Sequence, residues 1–237
     1  MYGVAINLPP VMNPPDELGV KDDAQIEAAA NAMMQMAFFR KVYGLLTFCL
    51  GITVLVCALF RGATDYVYNN AWLIITAFIG TFVFLITLFC VHKNYPVNLL
   101  FLFLFVGCVS VLLGCLTAFF EISEIFAAAA ITLSLTVGMT VIAFLASFEV
   151  ILMYIVILFV LIYAAYVPIM WFWWAFSGAE IGYSCLGSLV MCLYIIVDTF
   201  VMKEELSVDE CIIAVSKLFI DIIYLFIFIL SVIGGGS

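Results

Sequence analysis

The run YSCLGSLVMCLYIIVDTFVM (183–202), the loop KEELSVDE (203–210) and the run CIIAVSKLFIDIIYLFIFILSVI (211–233) decide how this chain is read. Each apolar run has the length of a helix that crosses hydrocarbon, about 20 residues. Each also carries an aspartate where such a helix should carry none, Asp198 in the first and Asp221 in the second. A carboxylate in the bilayer core costs roughly 2.5–3.5 kcal/mol even on the gentler insertion scales, so two in consecutive spans point to function. The midpoint of the two positions falls between Asp209 and Glu210, inside the connecting loop. An antiparallel hairpin therefore brings both aspartates to one height, where they can face each other.

Composition agrees with a membrane location. Of 237 residues, 68% are hydrophobic and 10% charged, against about 45–50% and 25% in soluble domains. The apolar runs are too long, and alternate too little, for barrel strands. The expected class is an all-α membrane protein. Most of the net charge of −9 lies near the N-terminus and in short loops, and gives no sign of nucleic-acid binding. All eight cysteines lie within or at the edge of apolar runs, no CxxC occurs, and the single His92 cannot complete a zinc site. They read as small buried side chains, and no resident cofactor is expected.

Residues 1–35 read as a disordered-to-interfacial cytosolic tail. Its start is acidic and proline-rich, PPVMNPPDELGVKDD (9–23), without the basic and apolar regions of a signal peptide. AQIEAAANAMMQMAFF (24–39) has helical composition and leads along the interface into the membrane. Residues 36–233 then form a seven-transmembrane-helix bundle, with spans at 42–60, 72–91, 97–120, 125–146, 150–170, 183–202 and 211–233. The run 125–170 requires a fold-back, because 46 residues of helix reach about 69 Å against a hydrocarbon thickness near 30 Å. Ser147, Phe148 and Glu149 supply the turn, and WFWW (171–174) sits at an interface. The final GGGS (234–237) reads as a linker remnant.

With the N-terminus cytosolic, Lys21, Arg40, Lys41, Lys93 and Lys203 fall on the cytosolic side and Arg61 alone falls outside. That bias satisfies the positive-inside rule. It puts EISE (121–124) and Glu180 on the far side, and leaves open whether the last run crosses or re-enters. Small residues four apart, Ser110 with Gly114 and Gly178 with Gly182, suit close helix packing within the bundle.

Four motifs carry a resemblance. MAFFRKVYGLL (36–46), HKNYPVNLL (92–100), IIVDTF (195–200) and KLFIDIIYLF (217–226) occur in the order and spacing of the transmembrane Bax-inhibitor-motif family. The likeness is to its Golgi anti-apoptotic branch, and covers nearly the whole chain beyond the tail. Compact loops and divergent middle spans also resemble viral members, as in cytomegalovirus. The resemblance implies seven helices with the last one central, residence in endoplasmic reticulum or Golgi membranes, a pH-sensitive calcium leak and suppression of apoptosis. By motif match, Asp198 and Asp221 are the aspartate pair that gates ion passage. Bacterial members hold one aspartate with an arginine in the second span, which WLIITAFIGTFVFLITLFCV (72–91) lacks.

The chemistry of the pair stands apart from the resemblance. Two carboxylates facing each other in low dielectric cannot both ionise cheaply, and they titrate as a unit. Proton-shared and cation-bound states compete, since calcium takes oxygen ligands. Calcium is expected as the transported ion, held transiently by Asp198 and Asp221, because full coordination needs about 6–8 oxygens. Lys217 lies four residues before Asp221 on the same helical face. It either replaces the missing arginine as a latch on one aspartate or snorkels to the headgroups. Glu121 and Glu124, with Asp65 and Glu180, either draw cations to a lumenal mouth or are solvated loop charges.

An intramembrane aspartyl protease would set its aspartates in YD and GxGD contexts; here they stand in IIVD and LFID. A microbial rhodopsin would place an aspartate four residues before its lysine, not after. No enzyme activity is expected. The partners expected are the lipid bilayer, calcium, and apoptosis regulators or other membrane proteins, with a monomer favoured. The rival reading is a non-conducting membrane interaction protein that modulates cell death or adhesion.

Overall fold

The computed structural model describes residues 16–62, 70–145, 179–204 and 210–234. Among them the elements are all helical: α1 (Asp16–Arg61), α2 (Ala71–Val91), α3 (Val97–Thr117), α4 (Ile122–Leu145), α5 (Ala179–Glu204) and α6 (Cys211–Gly234). All six hold a stretch long and apolar enough to cross a membrane. The fifth span expected at 150–170, Glu149, WFWW and Asp65 lie outside the described residues, so six of the seven expected spans are described. The sixth and seventh of the sequence reading are α5 and α6.

Without water, a helix must satisfy its backbone internally and at its ends, and the ends show how this is done. Asn98 Nδ2 donates to the carbonyl of His92 at 2.7 Å, closing the turn between α2 and α3. The third span was expected to run to 120 but its α-helix stops at Thr117. Past that point the amides of Phe119 and Phe120 donate three residues back instead of four, the tightened turn that often ends a helix. Arg61, at the end of α1, holds the turn by donating Nη1 to the carbonyls of Thr117 (3.2 Å) and Phe120 (2.6 Å). The fourth span starts at Ile122 rather than 125 because Glu124 Oε2 accepts the amide of Glu121 at 2.8 Å. That is one half of a capping box. At the other end of the chain, α1 runs unbroken from Asp16, so residues 16–39 continue the first span as helix.

These caps define two faces of the bundle. Arg61, Phe120, Glu124 and Gly234 gather at one. At the other, the rings of Phe39 and Phe144 meet edge-on with centroids 4.9 Å apart, close in sequence to Lys41. The helix α4 thus ends at the Lys41 face, while α5 begins at the Arg61 face.

Lipid is as apolar as leucine, so helix association here rests on close packing rather than water exclusion. The helix α6 is the most buried of the described six and touches α1, α3, α4 and α5. Val215, Phe219, Leu225 and Leu230 on it are fully covered. By contrast, α2 leaves Ile75, Phe78, Phe82 and Ile86 exposed, as a lipid-facing helix does. The small residues of α3 face α1: Ser110 Oγ donates to Thr53 Oγ1 at 2.9 Å, and Gly114 lies against the Phe60 ring. Gly182 has no such neighbour within 4 Å.

Because Arg61 satisfies two carbonyls at a partly buried helix end, Arg61→Met is expected to cost about 1–3 kcal/mol. Thermal unfolding in detergent measures this, and an unchanged midpoint would show that solvent can replace the guanidinium.

Candidate functional site: a carboxyl pair between the last two helices

The α5–α6 hairpin is antiparallel and closely apposed, and its sequence explains why. Gly187 on α5 meets the ring of Phe228 on α6 so closely that a Cβ would fall inside that ring's contact shell. The Tyr183 ring stands edge-on to the same phenylalanine at 6.1 Å between centroids. Nearer the loop, Ile195 and Met202 of α5 are buried, as are Cys211, Val215 and Leu218 of α6. This register leaves 198 opposite 221.

The two carboxyl groups lie beside each other across the α5–α6 interface. Two carboxyl groups this close in low dielectric cannot both ionise cheaply. Asp221 is the deeper member, 7% exposed, and its Oδ2 is buried with no hydrogen-bond partner among the described residues. Asp198 is less enclosed, with 17% of its side chain accessible.

Lys217 completes the site, though not with the partner nearest in sequence. Its Nζ lies 4.0 Å from Asp198 Oδ1, across the helix interface. The side chain is 39% exposed, so screening by its surroundings keeps the attraction modest. The pairing and the outward reach coexist: the stem snorkels while the ammonium still faces Asp198. The site therefore combines two carboxyl groups and one cation across two helices. No group of three or more His, Cys, Asp or Glu side chains suited to a metal occurs among the described residues. The pair alone falls short of a full calcium shell, and can pass an ion more readily than store it.

The other acidic candidates lie apart from this site. Glu121 and Glu124 are at the Arg61 face, where Glu124 caps α4 and Ser123 Oγ donates to Glu121 Oε2 at 3.3 Å. Glu180 belongs to the first turn of α5. Sequence reasoning did not single out the buried, unpartnered hydroxyls of Tyr43, Thr136 and Thr199, of which Tyr43 lies beside Thr199. Only the position of Thr199, directly after Asp198, could have drawn attention to them.

Residues 35–237 match the family model described as "Inhibitor of apoptosis-promoting Bax1". "Bax inhibitor 1" of the fission yeast Schizosaccharomyces pombe is 32% identical over 212 residues, 85% of this chain and 77% of that protein. "Protein lifeguard 4" of the mouse is 26% identical over 210 residues, 86% and 87% of the two chains. A "BI1-like protein" of Arabidopsis thaliana is 29% identical over 214 residues, 86% and 82%.

The hairpin's closeness makes a direct prediction. Gly187→Leu forces α5 away from Phe228 and is expected to destabilise the protein by about 1–3 kcal/mol, the usual cost of overpacking. A melting midpoint equal to the parent's, with an intact fold by circular dichroism, would show that α5 does not depend on that contact.

Proposed function

The chain belongs to the family of Bax1 inhibitors, and on that premise we propose that it is a pH-sensitive calcium leak of intracellular membranes that lowers store calcium and so inhibits apoptosis. The observation that carries this reading is the carboxyl pair of Asp198 and Asp221, side by side inside a membrane bundle and faced by Lys217. The name of the yeast relative, Bax inhibitor 1, supports the cell-death half of the reading.

In the shut state of this proposal one proton is shared between the carboxyl groups, and Lys217 offsets the charge that remains on Asp198. Loss of that proton leaves two carboxylates against one ammonium. The surplus negative charge then takes up a divalent cation, which prefers oxygen ligands. Protons and cations compete for the same atoms, so flux rises with pH through the titration of the pair. The site has too few oxygens to trap calcium, which favours release over retention. Lys217 acts as the latch that the second span does not provide. The setting proposed is the endoplasmic reticulum or Golgi, with the N-terminus cytosolic.

The test is calcium flux into dye-loaded liposomes reconstituted with the full chain and scanned over pH. The parent is expected to conduct more as pH rises. Asp221→Asn keeps a hydrogen-bond donor for Asp198 but cannot ionise, and should reduce flux about tenfold or more, equivalent to about 1.4 kcal/mol in cation binding. Asp198→Asn should behave alike, and both should lose the pH dependence. Flux from both variants that tracks the parent at every pH would make the pair merely structural. Absence of flux in the parent would leave the protein as a non-conducting interaction protein.

Lys217 has its own outcome. Lys217→Met removes the cation that favours loss of the shared proton, so the flux profile is expected to move to higher pH. A profile that stays in place would end the latch role while leaving the carboxyl pair untouched.

A further inference from the structure

Threonines in apolar helices commonly satisfy their hydroxyls by donating to the carbonyl four residues back. Thr47, Thr53, Thr76, Thr81, Thr87 and Thr132 all do so here. Thr136 and Thr199 do not. Their Oγ1 atoms are buried without a partner among the described residues, and the same holds for Tyr43 Oη. Thr199 is 1% exposed.

Two of these groups, Tyr43 and Thr199, converge. Tyr43 Oη lies beside the hydroxyls of both Thr140 and Thr199, yet neither Tyr43 nor Thr199 reaches a partner in hydrogen-bonding geometry. Thr136 stands one turn before Thr140 on the same face of α4. Three helices, α1, α4 and α5, thus point hydroxyls into one junction. Leaving buried polar groups unpaired is costly, whereas a water molecule needs two to four polar partners of the kind this junction supplies.

The location is informative. The helix α5 runs toward the Lys41 face, so Thr199 is one residue nearer that face than Asp198. Tyr43 follows Lys41 by two residues. The junction therefore lies on the Lys41 side of the carboxyl pair. A cation leaving the pair in that direction would exchange carboxylate oxygens for hydroxyl and water oxygens, which hard cations accept.

We propose that the hydroxyls of Tyr43, Thr136, Thr140 and Thr199 form an internal hydration site, and that this site is the step of the cation route between the carboxyl pair and the Lys41 face. The route half of the proposal rests on the calcium leak proposed above; the hydration half does not.

Radiolytic footprinting of the full chain in lipid nanodiscs tests the hydration half, because X-rays generate radicals from bound water where it sits. Tyr43 is expected to be oxidised at least about tenfold faster than Phe219, which is fully buried, with bound water as the radical source. In the double variant Thr136→Val, Thr199→Val, near-isosteric but without hydroxyls, oxidation of Tyr43 should fall about threefold or more as that water is lost. Thr199→Ser should restore it in a Thr136→Val background. In liposomes, Tyr43→Phe and Thr199→Val should each lower calcium flux about threefold or more, and Thr199→Ser should conduct like the parent. Oxidation of Tyr43 as slow as that of Phe219 overturns the proposal. So does oxidation that the double variant leaves unchanged, which would mean access from bulk water. Labelling as expected with parental flux in Tyr43→Phe and Thr199→Val overturns the route. Should the parent itself carry no calcium, the leak fails, and the labelling alone decides the hydration site.

Discussion

Two carboxyl groups buried against each other set the terms for the rest of this protein. In hydrocarbon every polar group must find its partner within the protein, and a charged one is expensive unless it is paired or neutralised. Asp198 and Asp221 meet that demand by lying side by side and by facing one ammonium, that of Lys217. The arrangement works only if α5 and α6 lie close together in register. Gly187 against Phe228 provides the closeness, and the short loop between the helices provides the register. Placing α6 at the centre of the bundle, against α1, α3, α4 and α5, keeps the pair out of the lipid.

The same demand explains features far from the pair. Arg61 binds the carbonyls at the end of α3, Asn98 binds one at the end of α2, and Glu124 accepts an amide at the start of α4. Polar side chains at the bundle's faces thus act mainly on backbone groups. Within the bundle most hydroxyls are spent on carbonyls of their own helix. Among the buried hydroxyls without a partner are those of Tyr43 and Thr199 at the α1–α4–α5 junction beside Asp198, and that of Thr136 on α4.

Much of the fold was legible from the order of residues because a bilayer reads hydropathy directly. Runs such as 72–91 and 211–233 differ from their helices by a residue or so at either end. The boundaries that moved did so for local reasons invisible to a hydropathy count. The third span stops at Thr117 because an arginine 56 residues earlier takes its carbonyl. The fourth begins at Ile122 because Glu124 acts as a cap rather than as loop charge.

For the site, sequence alone determined that two aspartates share one level of the membrane, since equal distances from a tight loop fix equal heights in a hairpin. It also determined that a lysine lies one turn from Asp221. Tertiary structure decided which way these groups turn: the carboxyl groups face each other, and Lys217 reaches Asp198 on the neighbouring helix instead of Asp221 on its own. It decided as well that Tyr43, which stands 156 residues before Thr199, contributes its hydroxyl to the same region. The reason is physical. Height along a helix follows from counting residues, whereas rotation about the helix axis and the choice of neighbour follow from side-chain packing among several helices, which no single run of residues contains.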